Sequence, residues 1–273
     1  MILYFIDDTE QYLLPEVRTI RYTEDTFAQV LMDELAQGPK NKAYLNASVN
    51  KDIRSSGRLN ITLKDTGVLN IQFNVQPYAY TKSSSNGEAL SAAAMTYTLT
   101  GMMPIQGIEI EVADGKPAAC FRKNYTKYTG ERITLNFPDK NTTMLTQVQR
   151  TVAQSDAQTL QTKMEELIRG PIETDSSDTW PAFPEGVTTE DVLGLTLNGD
   201  VVVINFSANF RERVKAMTPN NEVMMVYSII NTMTESDGIK WVQFLFEGEH
   251  VDQLSGGINY RHPLMANPGL IRK

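Results

Sequence analysis

The chain has 273 residues, 41% of them apolar and 21% charged, with 17 glycines and 12 prolines. That length supports about two domains with cores of their own, and that composition excludes collagen-like, low-complexity and disordered classes. Lys and Arg total 25 against 33 Asp and Glu, a formal charge of −8. This argues against a general nucleic-acid binder, whose affinity comes from neutralising phosphates.

The opening run Met1 to Ile6 is too short for a signal-peptide core or a membrane span and reads as a strand. After a loop containing Pro15, a second apolar stretch passes through Val17 and Ile20. Phe27, Val30, Leu31 and Leu35 recur at helical spacing, and Gly38-Pro39 ends that helix. Leu59, Ile61 and Leu63 alternate with polar residues, Asp65-Thr66-Gly67 turns, and Leu69, Ile71 and Phe73 alternate again, which predicts a half-buried hairpin. The spacing then predicts a helix over 87–99, with Leu90, Ala93, Ala94 and Tyr97 on one stripe, and a strand over 108–112 ending at Asp114-Gly115.

The second half follows the same plan. A strand over 133–137 precedes a helix that starts at a capping box, Ser155 with Gln158, and carries Leu160, Met164, Leu167 and Ile168. Leu193, Leu195 and Leu197 lead into Asn198-Gly199, a strong hairpin signal, and Val202, Ile204 and Phe206 lead out. The helix over 221–233 is apolar nearly all round, so it is expected to be buried more deeply than its counterpart in the first half. The last strand spans 239–246.

The two halves are a repeat. Gly38-Pro39 answers Gly170-Pro171 at a displacement of 132, Phe73 answers Phe206 at 133, and Thr98-Leu99-Thr100 answers Thr232-Met233-Thr234 at 134. Stations in one order at nearly constant displacement mark a tandem duplication. The expected architecture is α+β: two copies of a small mixed sheet with two helices each, in the order strand, strand, helix, hairpin, helix, strand. The first domain is expected over 1–116, a linker over 117–131, and the second domain over 132–273 with a C-terminal extension.

Residues with chemical potential are sparse. Cys120 is the single cysteine, with no histidine near it in sequence, and reads as a buried, inert thiol rather than a nucleophile. His250 and His262 stand twelve apart without the frame of a zinc site. The acidic stretch Glu173, Asp175, Asp178, Glu185, Glu190 and Asp191 lacks the pattern of a calcium loop and reads as solvated. Asp7-Asp8 reads as the exit of the first strand into a turn, rather than a carboxylate pair. Phosphate-binding glycine loops and the Gly-x-Ser-x-Gly elbow are missing. No catalytic, cofactor-binding or metal residue is therefore assigned. The loop Gln76-Pro77-Tyr78-Ala79-Tyr80-Thr81 reads either as irregular coil or as a partner contact.

Gly-Pro after the first helix, Phe183-Pro184-Glu185-Gly186, Asn205-Phe206-Ser207, Asn231-Thr232-Met233-Thr234 and Val242 to Gly248 together resemble the GerMN (germane) domain. The resemblance covers nearly all of the second copy and is looser in the first, where residues 43–57 hold no Phe-Pro-x-Gly. It implies a protein of sporulation and germination in endospore-forming Firmicutes: extracytoplasmic, usually lipid-anchored, built on a ring-forming type of domain and without catalytic activity. No lipobox cysteine stands at the start of the chain, so contact with a membrane is expected only through an anchor outside it. The expected partners are the protein itself, other spore-envelope proteins or peptidoglycan, with no nucleic acid and no cofactor. The alternative is a cell-wall binding module or an accessory of a wall hydrolase, for which Trp180 and Phe183 are the residues of interest.

Overall fold

The first apolar run forms β1 (Ile2–Asp7), which pairs antiparallel with β2 (Leu13–Val17) so that Ile6 faces Leu13 and Ile2 faces Val17. The computed structural model describes every residue except Tyr44, 80–85, 113–114 and Lys273, so Asp114 of the expected turn and Tyr80-Thr81 of the tyrosine loop lie outside the described residues. Pro15 lies within β2 opposite Tyr4, not in a loop before it. It is tolerated because β2 is an edge strand, where a missing N–H leaves no ladder bond unmade.

Helix α1 (Phe27–Gln37) buries Ala28, Leu31, Met32 and Leu35 and stops at Gly38, whose φ of 84° is a left-handed conformation that favours glycine. A short β3 (Leu45–Asn46) pairs with the end of β1. The predicted hairpin forms as β4 (Asn60–Leu63) and β5 (Val68–Phe73), followed by α2 (Gly87–Leu99), β6 (Gly107–Val112) parallel to β5, and β7 (Ala118–Cys120) antiparallel to β6.

The second half contains β8 (Gly130–Pro138), β9 (Leu145–Ala153), α3 (Leu160–Arg169), β10 (Val192–Asn198) and β11 (Val201–Phe206). Then come α4 (Ala208–Lys215), α5 (Pro219–Met233), β12 (Trp241–Phe246) and β13 (Leu264–Met265). Strand order β10-β11-β12-β13 repeats β4-β5-β6-β7, with the same antiparallel, parallel, antiparallel sequence of pairings. The chain is an α+β tandem, and it divides into compact units Met1–Glu131 and Arg132–Lys273.

Among the described residues each unit holds two small sheets, not one. The reason lies at the middle of β1, where the N–H of Tyr4 meets no strand and donates instead to the hydroxyl of Thr98 on α2 at 3.1 Å. Asn136 of β8 donates in the same way to Thr232 of α5 at 2.9 Å. A helix thus occupies the edge where a further strand would have joined the sheets. It also accounts for the threonine in the last turn of both α2 and α5.

Helix α2 is as enclosed as α5. Ala92, Met95 and Leu99 pack into the main core of the first unit, while Leu90, Ala93, Ala94 and Tyr97 pack with Ile6, Leu13 and Tyr128 on the opposite side. Small residues along α2 let neighbours close on both faces. Residues 117–131 are accordingly no linker: they supply β7, the core residue Cys120 and the buried Tyr128, and Thr129 bridges to Leu13. The C-terminal extension does the same for the second unit, supplying β13 and a bridge from Ile271 to Leu145. Each unit is closed by the segment after its last long strand.

Two further differences concern helix starts. Helix α3 is capped by Thr159, which accepts from the N–H of Thr162 at 3.1 Å, rather than by Ser155 with Gln158. Helix α4 lies outside the periodic elements, although Ser207 accepts from Phe210 N–H at 3.0 Å in an N-cap that the sequence displays. Leu193 and Leu197 of β10 are about half exposed, 49% and 52%, so alternation there does not report core burial.

Candidate functional site

The most heavily bonded polar groups of the protein recur at the same positions in both units. Arg18 of the first unit, although buried, donates to the main-chain oxygens of Glu34 and Gly38 at 3.2 and 2.6 Å and pairs with the Glu34 carboxylate at 2.8 Å. Arg150, displaced by 132, donates to Glu166 O and Gly170 O, both at 3.1 Å, and pairs with the Glu166 carboxylate at 2.9 Å and with Asp175. Each guanidinium lies over a phenylalanine ring, Phe5 at 5.0 Å and Phe137 at 5.6 Å. Left-handed Gly38 and Gly170 present the carbonyls that these arginines hold.

Asp7 and Asp139 form a second repeated pair, each without exposure. Asp7 Oδ1 accepts from the N–H groups of Gln11 and Tyr12 at 2.9 and 2.8 Å, and Asp139 Oδ1 accepts from Thr143 and Met144 at 2.8 and 3.2 Å. Burial pushes the Asp139 carboxyl up, but these donors, the Thr143 hydroxyl and the Arg272 guanidinium outweigh it and hold the carboxyl below its ordinary value. These carboxylates organise hairpin turns. Asp7 Oδ1 is spent on the main chain of the turn, and its Oδ2 accepts from the N–H and the hydroxyl of Thr9.

The family-like signature residues of the second copy are also turn and cap chemistry. Asp191 accepts from Ser207, Asn209 and the N–H of Thr188. Burial raises its pKa, but these bonds and Arg213 outweigh it, with a net downward shift. Asn205 Oδ1 accepts from Gly248 N–H at 2.7 Å, and Glu247 accepts from Ala208 N–H at 2.7 Å, tying the end of β11 to the end of β12. Arg213 donates to Glu185 O at 2.6 Å and lies against Gly186, where a Cβ would meet its guanidinium at 2.8 Å. Glu222, fully buried at the start of α5, accepts from Ser255, Gly256 and Tyr260 and anchors the closing segment.

The other candidate residues are not brought together. Cys120 is buried, accepts from the Tyr125 hydroxyl at 3.2 Å, and has its pKa pushed up by burial despite that bond. His250 lies 3.5 Å from the Gln243 amide, and His262 is exposed on the closing segment. Within the acidic stretch, Asp175 pairs with Arg150, Asp178 with Arg272, and Asp191 caps a turn, while Glu173, Glu185 and Glu190 face solvent. Among the described residues no group of three or more His, Cys, Asp or Glu could hold a metal ion. Tyr78 is half-buried and bridges to Val49 through the main chain, so that part of the tyrosine loop belongs to the fold.

Trp180 and Phe183 do share a feature. They line an open groove of about 380 Å3 with Pro138, Pro184, Met217 and Met224, where Phe183 is buried and Trp180 is 53% exposed. The main-chain N–H of Trp180 is fixed to Pro138 O at 2.8 Å, so the backbone beneath the exposed indole is anchored.

Two copies of one α+β fold, whose shared polar residues cap, turn and brace, define a tandem-repeat protein. The chain belongs to the Germane family, described as sporulation and spore germination, whose pattern matches residues 2–119 and 134–252. The chain is similar to the tandem GerMN domains of the sporulation protein GerM from Bacillus subtilis, at 16% identity over 98% of each chain with a TM-score of 0.39. The first GerMN domain of that protein matches half of this chain and 97% of its own length, at 20% identity and a TM-score of 0.38. A Clostridium perfringens protein matches half of this chain and 87% of its own, at 24% identity and a TM-score of 0.34. A search of curated proteins gives no match. Among the described residues no helix is long and apolar enough to cross a membrane.

Proposed function

We propose that this protein is a non-enzymatic scaffold of the spore envelope that acts by assembling, with itself or with other envelope proteins, outside the cytoplasm. On this reading it contributes a ring-building element to the channel between mother cell and forespore, and a lipid anchor of the kind the family resemblance implies holds it at the membrane. The carrying observation is that the residues shared by the two copies are braces: Arg18 and Arg150, Asp7 and Asp139, Thr98 and Thr232 satisfy main-chain groups inside their own units. Deleting the gene in its spore-forming host is expected to stall spore development or germination, with rescue by a membrane-tethered copy. Normal sporulation and germination in the deletion strain would count against the scaffold.

One observation favours a second reading, a wall-binding module. The exposed indole of Trp180 over an apolar groove is the kind of platform on which a sugar ring stacks. Pull-down on purified sacculi with wild type and Trp180→Ala decides it: retention that disappears with the substitution supports wall binding, and no retention removes it.

A further inference from the structure

We infer that copies of this chain join head to tail by strand addition, the outer strand β4 of one copy pairing antiparallel with the outer strand β10 of the next. This rests on the assembly reading above and assigns it a surface. Both strands end their sheets, and no described residue pairs with their far sides.

The alternation of ladder bonds fixes which groups face outward. Lys64 N–H donates to Val68 O at 2.9 Å, so Thr62 and Asn60 bond inward to β5 and the main-chain groups of Ile61 and Leu63 point away from the sheet. The two-residue turn of the second hairpin closes on Asn198 and Val201, so Thr196 bonds inward and Leu195 and Leu197 point away. Neither Asn60–Leu63 nor 194–198 contains a proline or a charge, the usual blocks to edge pairing. The opposite edges, by contrast, are only the three-residue β7 and the two-residue β13.

The two edges match in register. With Thr62 opposite Thr196 of the next copy, Ile61 faces Leu197 and Leu63 faces Leu195, each pair exchanging both main-chain bonds, and Asn60 faces Asn198. Leu63 and Leu197, 44% and 52% exposed, become covered. Leu63 also borders a groove of about 550 Å3 with Tyr22, Phe27 and Met103, which receives apolar side chains from the added strand. Charge selects this pairing over self-pairing of either strand. Exposed Arg58 comes beside Asp200 at the tip of the other hairpin, whereas β4 on β4 sets Arg58 against Thr66, and β10 on β10 sets Asp200 against Val192. A contact between two different patches propagates into rings or filaments.

The test uses full-length wild type, Leu63→Lys, Leu197→Lys and an equal mixture of the two variants, followed by sedimentation velocity up to millimolar concentration. Wild type is expected to form species larger than dimers, each blocked chain alone to stay monomeric, and the mixture to stop at dimers. Arg58→Glu, a surface change that spares the cores, should weaken association about tenfold, and Arg58→Glu with Asp200→Lys in one chain should restore it. Wild type monomeric throughout overturns the inference, as does a Leu197→Lys chain that dimerises alone. Association unchanged in both blocked chains overturns the edge contact and leaves the scaffold reading standing, which the gene deletion tests separately.

Discussion

Arg150 donates from Nη2 to the main-chain oxygen of Gly170 at 3.1 Å, and Arg18 holds Gly38 in the same way at 2.6 Å. The Gly-Pro that ends the first helix of each copy is therefore half of a long-range contact. Glycine takes the left-handed turn that aims its carbonyl at the guanidinium, and the adjacent glutamate neutralises the buried charge.

Removing Arg150 leaves Asp175 without its cation in a buried setting and leaves Glu166 with only the exposed Arg169. Arg150→Met is expected to destabilise the second unit by about 3–5 kcal/mol, the usual cost of breaking one side of a buried ion pair. Urea unfolding with an unchanged slope reads this directly. A loss under about 1 kcal/mol would show that the brace is dispensable.

Phe206 is fully buried and stacks on Phe210 of α4 at 4.0 Å, with Phe244 and Phe246 beside it. Phe206→Ala should cost about 3–5 kcal/mol through lost burial and the cavity left behind. The same unfolding measurement applies, and the helical signal of α4 should weaken with it.

Asp139 gives stability a pH dependence of known sign. Its folded pKa is lowered, so its contribution is present above the unfolded value near about 3.9 and is lost as pH falls through the lower folded value. Asp139→Asn is expected to be less stable than wild type at neutral pH, with the gap closing below about pH 4. A gap constant from pH 7 to pH 3 would refute the assignment.

Tyr260 donates to buried Glu222, and its hydroxyl is held protonated by burial and by that carboxylate. Tyr260→Phe should cost about 1–3 kcal/mol, because Glu222 loses a donor that water cannot replace. Limited proteolysis should show faster cleavage within the closing segment after residue 250.

Cys120 should behave as a core residue. With its pKa raised by burial, the thiol carries little thiolate at neutral pH, so a disulfide reagent is expected to label it slowly in the native protein and fully in denaturant. Rapid native labelling would contradict the packing around Tyr125.

The duplication, the α+β class, the span of α2 and the hairpin around Asn198-Gly199 are legible before folding, because they are written in local period and turn chemistry. The sequence also carries the N-cap Ser207 followed by Phe210 and Val214, enough to find α4. That residues 117–131 and the C-terminal segment each close a unit emerges only from long-range packing. Strands of three and two residues are too short to show alternation, and the bridges from Thr129 to Leu13 and from Ile271 to Leu145 join residues from opposite ends of a unit. Nor could composition distinguish Arg18 and Arg150 from solvated arginines. Their burial depends on carbonyls 20 residues away that a glycine turn delivers, and only folding brings donor and acceptor together.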